Sequence, residues 1–145
     1  MLLHATSVAL KQGRTWRAVL LRGPSGAGKS DLALRLIDAG ARLVADDQTR
    51  LVKRGRSLIA TAPAALAGMI EARGVGIVRL ARAKLMARAP LALLVDLVPA
   101  GQIERLPDEA HENLMGIDVP LLALAAFEAS AVAKLHLAFA RIAAG

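Results

Sequence analysis

Eight consecutive residues, Gly23, Pro24, Ser25, Gly26, Ala27, Gly28, Lys29 and Ser30, have the types and spacing of a phosphate cradle. The pattern is Gly, four residues, then Gly-Lys-Ser. The glycines permit backbone angles that a side chain forbids, so N–H groups can turn inward onto phosphate oxygens. Lys29 would place a cation at the β- and γ-phosphates of ATP, and the Ser30 hydroxyl would hold Mg²⁺. The same pattern also arises by chance on surface turns, so its flanks matter. Ala18 to Leu21 precede it as a short apolar run, and Leu32, Leu34, Leu36 and Ile37 follow before Gly40. Strand, loop and helix in that order aim a helix N-terminus at the anion.

Asp46 and Asp47 are the next candidates. They follow the apolar run Arg42 to Ala45, one helix downstream of the loop. Phosphoryl transfer needs a carboxylate near Mg²⁺ and, for an alcohol acceptor, a base for its proton. Adjacent residues on a strand point to opposite sides, so one carboxylate could face the phosphates while the other orients a neighbour. A solvated turn is the plain alternative. Asp96, at the end of Leu91 to Val95, is a second choice for the metal carboxylate, or it caps a buried strand. His111 and His136 have no metal-ligand spacing and read as surface or satisfied core residues.

These residues need a scaffold. With 145 residues the chain is expected to form a single domain over 1–145. Leu2 to Leu10 reads as a strand, Lys11 to Arg14 as a turn, and Trp16 to Leu21 as the partner strand. Ser30 to Ala39 reads as the first helix. Thr49 to Lys53 and Ser57 to Thr61 form a candidate hairpin around Gly55, and Pro63 to Met69 a short helix or turn. Gly74 to Leu80 is strand-like, Leu91 to Val98 a strongly apolar strand, and Leu121 to Leu124 ambiguous. Ala129 to Ala143 has helical spacing, with Val132, Leu135, Phe139 and Ile142 on or near one face. The class is α/β with mixed strand pairing.

Composition narrows the function. No 18-residue run is apolar and free of charge, so no spanning helix and no membrane partner are expected. Met1 to His4 lack the pattern of a signal peptide. The absence of cysteine rules out disulfides and thiol chemistry and suits a cytoplasmic protein. The net charge of +7 tempts a nucleic-acid reading. The arginines are scattered, however, and aromatic residues for stacking bases make up only 2% of the chain. Nucleic acid is therefore not the expected partner.

Three segments together resemble one bacterial family. They are Gly23 to Ser30, Arg42-Leu43-Val44-Ala45-Asp46-Asp47, and Glu71-Ala72-Arg73-Gly74-Val75-Gly76-Ile77. In this order they are similar to the HPr kinase/phosphorylase family, whose Glu-x-Arg-Gly-x-Gly-Ile signature is its most specific part. His4 matches a histidine of the family's strand before the loop, and Glu104-Arg105-Leu106 is similar to a later segment. The resemblance implies a phosphate-loop kinase domain of the HPr kinase and phosphoenolpyruvate carboxykinase-like type, with a mixed β-sheet and flanking helices. It implies that residues 23 to 30 bind ATP and that Ser30 and Glu71 hold Mg²⁺. Asp47 would take the proton of the target serine, with His4 and Asp46 close by. Arg105 would stabilise phosphoryl charge, and Arg73 with Gly74 to Ile77 would shape the site.

The implied acceptor is a serine of HPr, the phosphocarrier protein of the sugar phosphotransferase system. A homo-oligomer is implied too, a hexamer being frequent in the family. The family's Arg-Pro-Gly-Arg-Asn loop, tied to removal of the phosphate, is missing, and Val119 to Leu124 stand near where it would fall. The expectation is therefore an ATP-dependent protein-serine kinase, its phosphorylase activity left open. A small-molecule kinase would need an arginine-bearing lid and a substrate insertion, for which the chain has little room. A non-catalytic nucleotide-binding regulator is the third reading.

Overall fold

In the computed structural model, which describes residues 1–144, strand β1 (Leu2–Leu3) and strand β2 (Ala5–Gln12) are separated only by His4. They nevertheless lie far apart along the strand path of the sheet. After β2 come β3 (Thr15–Arg22), helix α1 (Lys29–Asp38), β4 (Arg42–Ala45), β5 (Thr49–Arg54) and β6 (Ser57–Thr61). Then follow β7 (Met69–Ala72), β8 (Gly76–Arg79), β9 (Arg88–Leu97), β10 (Ala110–Leu114), β11 (Ile117–Leu124) and helix α2 (Ala131–Ala144). The main sheet runs β1-β5-β6-β9-β3-β2-β4, with the β10–β11 hairpin joined to β9 through β11. Because β1 and β2 are joined through one residue, the sheet curls back on itself at His4. Leu2 to Leu10 is thus broken where one continuous strand was expected.

The centre is the parallel pair β3 and β9, in register Val19 with Leu93 and Leu21 with Val95. Both strands are covered on both faces, so they read as unbroken apolar runs rather than as alternation. Val19, Leu21, Leu93 and Val95 face the helices and join Leu32, Leu36, Leu135 and Phe139. Leu20 and Leu94 point the other way, into the curl, with Leu51, Leu58 and Ala60. The pairing jumps from Ala18–Leu91 to Val19–Leu93, leaving Ala92 as an extra residue. Such a bulge raises local twist, which suits a sheet that must bend.

Helix α1 buries Leu32, Ala33, Leu36 and Ile37, a stripe of helical spacing. It stops where Gly40 takes φ 110. There the Ala41 N–H reaches the Leu36 carbonyl at 2.9 Å and Gly40 N–H reaches Ile37 at 3.0 Å. This closure satisfies carbonyls that the helix end leaves over. Helix α2 begins at Ala131 and buries Ala131, Leu135 and Phe139 against the same core.

The β5–β6 hairpin matches the expectation, with Leu51 opposite Ala60. The ambiguous Leu121 to Leu124 is the end of β11, lying parallel to Leu94 to Leu97 of β9. Strand β10 and the first residues of β11 had no sequence expectation, nor had β7 beyond Met69. Among the described residues no helix is long and apolar enough to cross a membrane.

Candidate active site

The glycine-rich loop leaves the end of central strand β3 and enters α1. Two of its glycines are required by space, and Gly28 by angle as well. A Cβ on Gly23 would lie 2.9 Å from the Ala27 Cβ. A Cβ on Gly28 would lie 2.9 Å from both the Ala126 Cβ and the Phe127 ring, and Gly28 has φ 98. No side chain caps the start of α1. Its first N–H groups therefore carry the positive end of the helix dipole without a side-chain partner.

Lys29 folds back over the loop. Its Nζ donates to the Gly23 carbonyl at 2.6 Å and to the Pro24 carbonyl at 3.3 Å. The residue is 7% exposed and has no carboxylate partner among the described residues. A buried ammonium held only by neutral carbonyls favours an incoming anion, because burial removes water and the carbonyls do not offset the charge.

Asp46 is the hub. It is buried, and its Oδ1 accepts hydrogen bonds from Ser30 Oγ at 2.6 Å and Thr6 Oγ1 at 3.0 Å. Its Oδ2 accepts the Glu71 backbone N–H at 2.9 Å. One carboxylate thus ties the loop serine, strand β2 and strand β7 to one another. Thr6 also accepts the Asp47 N–H at 3.0 Å, so one buried hydroxyl orients both aspartates. Sequence reading missed Thr6. A threonine within an apolar strand carries no local signal of such a role.

Asp47 turns outward. Strand β4 has already ended at Ala45, and Asp47 has φ 65 in a tight turn closed by Gln48 N–H to Asp46 carbonyl at 2.7 Å. The two carboxylates therefore diverge through a left-handed corner and not through strand pleating. Aspartate is among the few residues that tolerate that conformation. The Asp47 Oδ1 lies 3.3 Å from His4 Nε2, with both side chains more than half exposed.

Around these groups lies a cleft of about 270 Å³. Its walls include His4, Gly28, Lys29, Ser30, Asp47, Glu71 and Arg73. Most of the expected site residues thus meet in one place, although they come from the link between β1 and β2, the loop and the start of α1, the turn after β4, and the β7–β8 hairpin. Pro24 and Ala27 border the far side of the loop instead. Arg105 is exposed, in the irregular run before β10, and does not line this cleft. The guanidinium group at the cleft belongs to Arg73. Asp96 is engaged elsewhere, since Arg22 Nε donates to its Oδ1 at 2.8 Å and the same guanidinium donates to Glu112 at 2.6 Å. Arg22 is held above its ordinary pKa, chiefly by the Glu112 hydrogen bond. Asp96 is therefore a strut beneath the loop and not a group of the cleft. His111 and His136 are exposed. Val119 to Leu124, near where the family's extra loop would fall, lie within β11.

Ser30 Oγ lies on the Asp46 carboxylate, and the Glu71 side chain lines the same cleft as Ser30. Hydroxyl and carboxylate oxygens suit Mg²⁺, which in kinase sites rests on one or two carboxylates and the substrate phosphates.

A loop of this kind between a central strand and a helix, with a carboxylate on its serine, defines an α/β phosphate-loop domain of the kinase type. Residues 16–141 match the family model described as the HPr Serine kinase C-terminal domain, and the chain belongs to that family. It is 36% identical over 111 residues to an HPr kinase/phosphorylase of Limosilactobacillus reuteri (strain DSM 20016), covering 70% of this chain and 35% of that protein. For the Burkholderia cenocepacia (strain HI2424) protein of the same name, identity is 36% over 109 residues, covering 70% and 34%. The chain therefore spans about a third of the length of these relatives. The structure of the Hpr(Ser) kinase/phosphatase from Coxiella burnetii matches with a TM-score of 0.82 at 26% identity. That match covers 97% of this chain and 88% of the other. The family is one of kinase/phosphorylase enzymes.

Proposed function

We propose that this domain is an ATP- and Mg²⁺-dependent protein-serine kinase whose acceptor is a serine of HPr. The observation that carries the reading is the arrangement around Asp46 and Asp47. One carboxylate lies on the loop serine and the next stands at the open mouth beside His4. Bound Mg-ATP supplies a transferable phosphoryl group with its charge partly offset by the cation.

The residues divide the remaining work. Lys29 swings from its carbonyls to the β- and γ-phosphates, and the N–H groups of residues 26 to 30 bind their oxygens. Ser30 and Glu71 hold the cation, with Asp46 fixing Ser30. Asp47 takes the seryl proton as the seryl oxygen bonds to the γ-phosphorus; the bond to the bridging oxygen breaks and ADP leaves. His4 positions Asp47. Exposure of the His4–Asp47 pair supports a protein acceptor, since a protruding serine reaches it without entering a closed pocket. Arg73 stands where it offsets charge on the transferring group. Arg105 enters only through the family resemblance.

Incubation with ATP, Mg²⁺ and HPr, followed by intact-mass measurement, tests the proposal. One added phosphate on an HPr serine is expected. ATP turnover that ignores HPr would overturn the assigned acceptor. The reading also includes a homo-oligomer, for which sedimentation velocity is the test.

A further inference from the structure

Phe127 is 70% exposed, in a chain with two phenylalanines, one tryptophan and no tyrosine. Its position is nonetheless fixed. Arg35 of α1 donates to the carbonyl of Ala126, the residue before it. The Glu128 N–H turns back to the Ala125 carbonyl at 3.3 Å, and the Glu128 carboxylate pairs with Lys134. The ring edge lies against Gly28, where even a methyl group would clash.

Phe127 also stands on a seam. It borders the cleft that holds Lys29 and Ser30, and equally a second cleft of about 570 Å³ across the loop. The two clefts share Ser25 and Gly26 as well. Ala27, Leu97, Val98, Pro99 and Ala100 give the second cleft a mainly apolar wall. Its size is within the range of small-ligand pockets.

We infer that Phe127 and this second cleft form the subsite for the heteroaromatic base of the nucleotide, an inference that rests on the phosphate-binding reading of the loop. The phosphates lie on the Lys29 side, and the base crosses the seam to stack on the Phe127 ring against the apolar wall. A flat π-face meets an aromatic ring here, and the one charged side chain lining the second cleft, Glu128, is already paired with Lys134. Base–aromatic stacking contributes about 1–3 kcal/mol, or roughly a five- to 150-fold change in affinity.

The experiment is calorimetric binding of Mg-ATP and of magnesium tripolyphosphate to the wild-type chain, Phe127→Ala and Phe127→Trp. The wild type is expected to bind ATP more tightly than tripolyphosphate. Phe127→Ala is expected to lose at least fivefold in ATP affinity and to keep its tripolyphosphate affinity. Phe127→Trp should restore ATP binding, with tryptophan emission quenched by ATP and not by tripolyphosphate. Wild-type protein controls for Trp16, which lies at the start of β3. Equal ATP affinity in the wild type and Phe127→Ala would overturn the base subsite. An equal loss for both ligands would overturn it too, because Phe127 would then serve the loop alone. In both cases tripolyphosphate binding by the wild type leaves the phosphate reading standing. If the wild type binds neither ligand, both readings fall.

Discussion

Asp46 and Asp47 share a peptide bond and occupy opposite environments. Asp46 is 8% exposed with three hydrogen-bond donors on its carboxylate, whereas the Asp47 side chain is 57% exposed and faces His4. The left-handed turn at Asp47 produces the divergence. The proposal gives each a different task, and the tasks separate by experiment.

Asp47→Asn should keep the fold and nucleotide affinity while slowing phosphorylation of HPr by roughly 10²–10⁴-fold, the usual worth of a positioned general base. Single-turnover transfer and calorimetric ATP binding measure the two halves. Transfer at the wild-type rate would remove Asp47 from its assigned role.

Asp46→Ala should fail earlier, in stability. It strips the partner from Ser30 Oγ, Thr6 Oγ1 and the Glu71 N–H, and a cost of about 1.5–3 kcal/mol is expected for losing bonds to a charged acceptor. Urea unfolding reads this directly. Asp46→Asn keeps an acceptor oxygen and should cost less. Loss of magnesium-dependent nucleotide affinity is expected in both.

Gly28→Ala tests the close approach of the loop to Phe127. The added methyl meets Ala126 and the Phe127 ring at 2.9 Å, on a residue with φ 98. The left-handed angle alone is expected to cost about 1–2 kcal/mol. The urea midpoint should fall, and tripolyphosphate binding should weaken because the first N–H groups of α1 are displaced. An unchanged midpoint would show that the loop absorbs the methyl freely.

Acid should act through the strut behind the loop. The hydrogen bond from Arg22 holds the Glu112 carboxyl below its ordinary value of 4.5, against the opposing effect of burial. A depressed folded-state pKa gives a contribution that is complete above the unfolded value and disappears as pH falls through the folded one. Wild-type stability should therefore drop more steeply than that of Glu112→Gln below about pH 4.5. Denaturant midpoints collected between neutral and strongly acidic pH make the comparison. Parallel curves would show that the Glu112 pairing contributes nothing to folding.

Local pattern carried the loop, α1 and the β5–β6 hairpin, because each is specified by neighbours in sequence. The cleft residues were legible as motif fragments, yet their meeting depends on long-range pairing. Nothing near Thr6 announces that its hydroxyl serves residues forty positions away. Asp96 looked like a metal carboxylate because strand-end acids in such domains often are; the forked contact from Arg22 decides otherwise. Leu121 to Leu124 stayed ambiguous because a strand beside β9 shows no clear alternation. Leu2 to Leu10 looked continuous because the switch at His4 changes neighbours and not hydrophobicity.

The parallel pairing of β3 with β9 has a consequence for how the protein comes into being. Val19 waits for Leu93, and the segment carrying Phe127 comes later still. A nascent chain carrying only its glycine-rich motif has the right letters and no pocket. Competence to bind would therefore switch on late and all together, making ligand capture a sensitive gauge of whether synthesis has passed Phe127.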